Sequence, residues 1–291
     1  MKPAAFAYHA PASLDAALEL LTAEGTRPLA GGQSLMPLMH VRSVRPRALV
    51  DLGRVTGLDH IAVRDGTLVL GAMVRQRTLE RDGVVNEHAP LLREAVRWVA
   101  SAPVRNRGTL GGSVAQADPS GELFTALVAL DATAVLRRAG GGERELAVAE
   151  LPGATGGPPG DPDELLVELR VPSAPAGSRW AYVEINRRHN APAVAGVAVG
   201  LELDGDGRVS RARLAMAGVE DRPRRLPEAE ALLTGAAPGT EAIAAAAEAA
   251  VATAEPRADM HASAAYRGHA LTVLIRRGVE AALGSDHESE R

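Results

Sequence analysis

The 291-residue chain is predicted to be an α+β protein of two lobes, followed by a smaller domain in which a three-stranded antiparallel sheet carries a helical bundle. Three observations point there. Up to about residue 175, short apolar runs of strand character alternate with segments of helical periodicity. After "SAPAGS" the texture changes to three longer strand-like runs in succession. From Pro227 onward the pattern is helical.

The elements follow in order. "SLDAALELLTAEG" predicts a helix, because Ser13 can cap it, Leu14, Leu18 and Leu21 repeat at helical spacing, and Gly25 can end it. "RPLA" is a short strand leading into Gly31-Gly32, and Pro37 limits "SLMPLMHVR" to a first turn or a kinked helix. "RALVDL" is a strand that completes a β-α-β-type unit, giving a first subdomain over residues 1–55. "GLDHIAVRDGTLVLGAMV" alternates around Asp65-Gly66, a hairpin signal. "APLLREAVRWVAS" and "GELFTALVALDA" are helical, and "TAVLRR" pairs with "RELAVAE" across Gly140-Gly141-Gly142. "PGATGGPPGDPDE" is a loop and "LLVELRVP" a strand, closing a second subdomain over residues 56–175. "RWAYVEINRR", "AVAGVAVGLEL" and "RVSRARLAMAGV" form the antiparallel meander. "PEAEALLTG", "TEAIAAAAEAAVATAE" and "SAAYRGHALTVLIRRGVEAAL" are the helices of a C-terminal domain over residues 176–284. Residues 285–291 are a polar tail.

Composition removes several functions. Net charge is −4 and no basic tract rises above the background, so nucleic acid is not an expected partner. The chain has no cysteine, which excludes disulfides, a thiolate nucleophile and a thiolate-held iron–sulfur cluster within it. There is no apolar signal core and no transmembrane stretch, so the expected compartment is the cytoplasm. His40, His60 and His88 lack metal-ligand spacing, and no metal site is assigned. "DGDG" at 204–207 lacks the closing Glu of a calcium loop and predicts a hairpin turn.

Two short stretches carry chemistry. "AGGQS" (residues 30–34) and "TLGGS" (residues 109–113) each place a glycine pair beside a hydroxyl after an apolar run. A glycine pair lets the backbone approach a ligand with no Cβ in the way, and successive amides can bind an anion. Two readings stand: a diphosphate clasp built from both motifs, or a pair of tight turns requiring positive φ. Neither motif fits a P-loop, since no Lys follows the glycines, and neither fits G-x-G-x-x-G.

Their flanks are more specific. "AGGQSLMPLMHVRSVRPRALVDL" and "RNRGTLGGSVAQADPSGELFTALVALDA" resemble, almost end to end, two signature segments of the FAD-binding medium subunits of molybdenum hydroxylases, the family of the carbon monoxide dehydrogenase medium chain and the xanthine dehydrogenase FAD-binding subunit. "FAYHAPASLDAALELL" and "GLELDGDGRVSRARLAMAGVEDRPRRLPEAEALLTG" are similar to that family too. The resemblance implies a flavin fold of the vanillyl-alcohol-oxidase (PCMH) type, with two subdomains enclosing FAD. By position it assigns Ala30, Gly31, Gly32, Gln33 and Ser34 to one side of the pyrophosphate, and Thr109, Leu110, Gly111, Gly112 and Ser113 to the other. It assigns Glu122 to the adenosine end, Asp118 to the turn that places Glu122, and Leu166 to an apolar contact near flavin or adenine. On its own chemistry, Glu122 is equally an acid opposite a helix dipole, and Asp118 before Pro119 a turn initiator.

The resemblance also implies an oxidoreductase subunit that relays electrons. A large molybdopterin-binding subunit and a small iron–sulfur subunit would be its partners, in a heterotrimer doubled to a heterohexamer. NAD, a quinone or oxygen would be the external acceptor, and no catalytic acid or base is assigned to this chain. One segment departs from the family. Where many relatives carry an acid and an aromatic after the paired arginines, "RRHNAPAVAG" has Ala191 and Pro192. That departure leaves open a standalone or redox-decayed FAD-binding protein, and the superfold leaves open a single-chain flavin oxidoreductase. His189 is either a flavin-side donor or a solvated loop residue.

Overall fold

The computed structural model describes residues 2–152, 163–188 and 190–284; the body of the predicted Pro/Gly loop, His189 and the polar tail lie outside them. Lobe 1 contains β1 (Ala7–His9), α1 (Leu14–Leu21), β2 (Thr26–Leu29), α2 (Leu35–His40) and β3 (Ala48–Asp51). Its sheet has the order β1-β3-β2, and both pairings are parallel. β2-α2-β3 is thus the expected β-α-β unit, and α2 is a six-residue helix with Pro37 in its first turn, where no intrahelical amide is needed. The exposed three-residue β1 escaped sequence reading, being too short to show alternation.

Lobe 2 begins with β4 (Ile61–Arg64) and β5 (Thr67–Gly71), joined through Asp65 and Gly66, both at positive φ as a type I′ turn requires. Then follow α3 (Gln76–Arg81), α4 (Gly83–His88), α5 (Pro90–Trp98), α6 (Ala102–Arg107), α7 (Leu110–Gln116) and α8 (Glu122–Ala129). β6 (Thr133–Arg138), β7 (Glu143–Ala147) and β8 (Glu164–Pro172) complete an antiparallel sheet of order β4-β5-β8-β6-β7. α3, α4, α6 and α7 are six or seven residues long, too short for a periodic signal.

The third unit contains β9 (Arg179–Asn186), β10 (Ala193–Leu203), β11 (Val209–Ala217) and the two-residue β12 (Arg224–Arg225), then α9 (Pro227–Leu233), α10 (Thr240–Thr253) and α11 (Ala264–Leu283). The meander is extended by β12 into an antiparallel sheet of order β12-β11-β10-β9. The first nine residues of β10 are all buried, which explains the near-continuous apolar run "AVAGVAVGL". One face packs on α9–α11; from the other, Tyr182, Ala198 and Ala215 join the core of lobe 2.

The cores are shared between units. Val135, Leu165 and Val167 of lobe 2 sit in the same apolar cluster as Ala17, Leu18 and Val50 of lobe 1. Burial against a neighbour therefore fixes the orientation of each unit, since separating them would return this apolar area to water. A polar pin adds to it. Arg267 of α11 is 1% exposed and donates to the carbonyls of Val194 and Gly218, and at 2.7 Å to Asp259 Oδ1. The Gly218 amide in turn donates to Pro119 O at 2.7 Å, tying the third unit to the turn before α8.

Replacing Arg267 with Met would take this donor from the Val194 carbonyl and leave Gly218 O with the 3.3 Å bond from Arg257 Nε, while Asp259 would lose its buried partner. Arg267→Met is expected to lower unfolding stability by about 3–5 kcal/mol in urea titrations. An unchanged midpoint would show that the pin contributes nothing.

Candidate functional site

A cavity of about 380 Å³ opens where lobe 1 meets lobe 2. That lies within the ordinary size range of small-molecule sites. Both glycine motifs reach its wall. From the first come Ala30, Gly31, Gly32, Gln33 and Ser34; from the second, Gly111, Gly112 and Ser113; and Leu166 lies on the wall beside Glu164 and Leu165 of β8. Thr109 and Leu110 stand behind the wall: Thr109 is 2% exposed and caps α7, and Leu110 is buried in the lobe 2 core.

The glycines are explained mainly by close approach. Among the four of the two pairs, only Gly32 has positive φ, at 74°. A Cβ on Gly31 would lie 2.9 Å from Gly108 Cα, and one on Gly111 would lie 2.6 Å from Ala72 Cβ. One on Gly112 would meet Thr109 Oγ1 at 2.7 Å and point across the cleft at Ala30 Cβ, 3.7 Å away. The reading of both pairs as positive-φ turns therefore fails, except at Gly32.

The two motifs offer different donors. Among the described residues, the amides of Gly31, Gly32, Gln33 and Ser34 make no hydrogen bond, although the residues line the cavity. In the second motif the amides are already engaged. Gly111 donates to Ala72 O at 2.8 Å, Gly112 to Thr109 Oγ1 at 3.0 Å, and Ser113 to Thr109 O at 3.1 Å. The expectation of a symmetric amide clasp is corrected accordingly: this glycine pair lies inside the first turn of α7, not in a loop ahead of a helix. What Ser113 brings to the wall is its hydroxyl.

Sequence reading missed other wall residues. Arg27, whose side chain forms no ion pair among the described residues, adds a positive charge to the lobe 1 side. Gln76, at the start of α3, is 5% exposed and reaches the wall from the lobe 2 side. Neither sits in a motif, and only the parallel pairing of β2 and the strapping of residues 72–76 to 108–111 bring them there. Unspent amides, glycines without room for a Cβ and one arginine together fit the anionic bridge of a dinucleotide.

Asp118 and Glu122 do not line this cavity. Asp118 Oδ1 accepts from the Ser120 amide at 2.8 Å and the Ser120 hydroxyl at 2.6 Å, closing the turn ahead of α8. Glu122 faces the third unit, where Glu184 and Tyr182 of β9 are its electrostatic neighbours. Burial is the main reason that the Glu122 carboxyl is pushed up to about 7, with Asp118 adding to it. Burial and the nearby Glu122 charge push Glu184 up to about 8. Burial also raises the Tyr182 phenol well above its ordinary value. Tyr182 Oη and Glu184 Oε2 are buried and have no hydrogen-bond partner among the described residues.

His60 contacts Glu168 at 3.2 Å, and His88 Nδ1 contacts Ser173 Oγ at 3.0 Å. No group of three or more metal-ligating side chains occurs among the described residues, and no helix there is long and apolar enough to cross a membrane.

Two family models match the chain. Residues 4–174 match the model of the FAD binding domain in molybdopterin dehydrogenase, and residues 180–282 match the CO dehydrogenase flavoprotein C-terminal domain. The chain is 40% identical to the 6-hydroxypseudooxynicotine dehydrogenase complex subunit alpha of Paenarthrobacter nicotinovorans, over 97% of this chain and 96% of that one. It is 35% identical to the carbon monoxide dehydrogenase medium chain of Hydrogenophaga pseudoflava, over 97% and 98%. A solved structure of that organism's carbon monoxide dehydrogenase, lacking the Mo-pyranopterin moiety of the molybdenum cofactor, superposes with a TM-score of 0.93, at 36% identity and covering 98% of this chain and 99% of that one.

The raised carboxyls set a pH dependence. Folded Glu122 and Glu184 hold protons that the unfolded chain releases near its ordinary value of 4.5. Their contribution is therefore fully present below pH 4.5 and is lost as pH rises through about 7 and 8. The apoprotein is expected to melt several degrees higher near pH 5 than near pH 8, and Glu122→Gln/Glu184→Gln should flatten that slope. An equally steep slope in the double variant would sink the assignment.

Proposed function

This chain belongs to the FAD-binding medium subunits of molybdenum hydroxylases, and from that membership we propose that it relays electrons from iron–sulfur clusters of a small partner subunit to an external acceptor. A large molybdopterin-binding subunit would hydroxylate the substrate, with NAD, a quinone or oxygen as terminal acceptor. The observation that carries the reading is the cavity at the lobe junction, where both signature segments meet on one wall.

FAD, when bound, supplies the redox chemistry, and the protein's part is to hold and orient it. The amides of Gly31, Gly32, Gln33 and Ser34 would donate to one face of the diphosphate, with Arg27 offsetting its charge. The Ser113 hydroxyl would donate from the other lobe. Leu166 and Met73 keep part of the wall apolar, so water is excluded from one side of the ligand.

The relay is tested with the purified chain and its partners. A bound yellow cofactor that an electron donor bleaches and an acceptor restores is the expected result. A colourless chain that takes up no added FAD would favour the alternative of a decayed flavin site. Two glycine variants test the site itself. Gly32→Val would force a β-branched residue to φ 74°, and Gly112→Val would push into the Thr109 hydroxyl that caps α7. Each should lower FAD retention by about tenfold or more, with circular dichroism unchanged. Full flavin content in both variants would count against the glycine wall as the diphosphate site.

A further inference from the structure

We propose that Gln76 is a positioning residue that fixes the direction of the Ser113 hydroxyl, so that lobe 2 presents one oriented O–H donor to a phosphate oxygen in the cavity. The inference rests on the FAD reading above and adds to it how the second lobe, whose amides are spent, contributes a donor at all.

The geometry is specific. Gln76 Nε2 donates to Ser113 Oγ at 2.8 Å, the one hydrogen bond that Ser113 Oγ makes among the described residues. An oxygen that accepts from an amide keeps its own proton free for another acceptor, and Ser113 lines the cavity. Gln76 has little freedom to turn away. Its backbone amide donates to Gly108 O at 3.0 Å, and its side-chain amide fills the space beside Gly108, where a Cβ would sit 2.6 Å from Gln76 Cδ. Gln76 Oε1 is buried without a partner. The reverse amide orientation would bury the NH2 group there instead, with no acceptor, and buried donors are left unpaired more rarely than carbonyls. The side chain is thus held as a donor toward Ser113. A hydroxyl so directed favours an oxygen that only accepts, such as that of a diphosphate, over one that carries a proton.

The test is a double-mutant cycle read by quenching of FAD fluorescence on binding to the full-length apoprotein. Ser113→Ala and Gln76→Leu should each weaken FAD by about tenfold, and the double variant should be no weaker than either single one. Gln76→Glu keeps the shape of the side chain. As a carboxylate it accepts the Ser113 proton and turns it from the cavity, so, read above the pH at which this buried carboxyl ionises, it should weaken FAD at least as much as Gln76→Leu with circular dichroism unchanged. Additive losses in the double variant, or Gln76→Glu binding FAD like the wild type, would overturn the inference and leave the FAD reading intact. A wild-type chain that quenches no FAD would overturn both.

Discussion

The site depends on one close approach of backbone to backbone. Gly31 of lobe 1 lies against Arg107 and Gly108 of lobe 2 with no room for a side chain between them. Any L-residue with a Cβ would wedge the lobes apart, because backbone atoms cannot move aside as a flexible side chain can. Held together there, the lobes leave a cavity just beyond the contact, walled by the two motifs. The shared cluster of Leu18, Val50, Leu165 and Val167 maintains the approach from the other side.

The same constraint divides the work between the motifs. In lobe 2, the segment 72–76 is strapped to 108–111 through the amides of Gln76, Leu110 and Gly111. Those bonds make a firm wall and consume the donors that a glycine-rich turn would otherwise offer an anion. In lobe 1, the bend from β2 into α2 leaves four successive amides unspent. One lobe is therefore a rigid surface carrying a hydroxyl, and the other a cradle of amides. The combination binds an anion between preset parts, with little reorganisation on binding.

The third unit is connected to the site through the turn at Asp118. Arg267 holds Gly218, the Gly218 amide holds Pro119, and Asp118 closes the turn from which α8 and Glu122 begin. Glu122 then meets Glu184 and Tyr182 in a place where burial disfavours charge. Carboxyls shifted in this way by burial and a neighbouring charge concentrate at functional sites.

Much of this was legible in the residues. The helix from Leu14 to Leu21, the Asp65-Gly66 hairpin, the meander from β9 to β11 and the long C-terminal helices follow from periodicity, turn chemistry and capping, which act over a few neighbours. The two glycine motifs stood out for the same reason. The six-residue helices around the site, the exposed β1, and the placement of Arg27 and Gln76 were not legible, since they are set by contacts between segments tens of residues apart. Sequence alone determined that there would be two lobes with a glycine pair in each. Only tertiary structure decided that the second pair lies within a helix, that its amides are spent and that Glu122 faces β9. Each of these depends on which distant backbone atom occupies a donor or a space, and no local pattern encodes that.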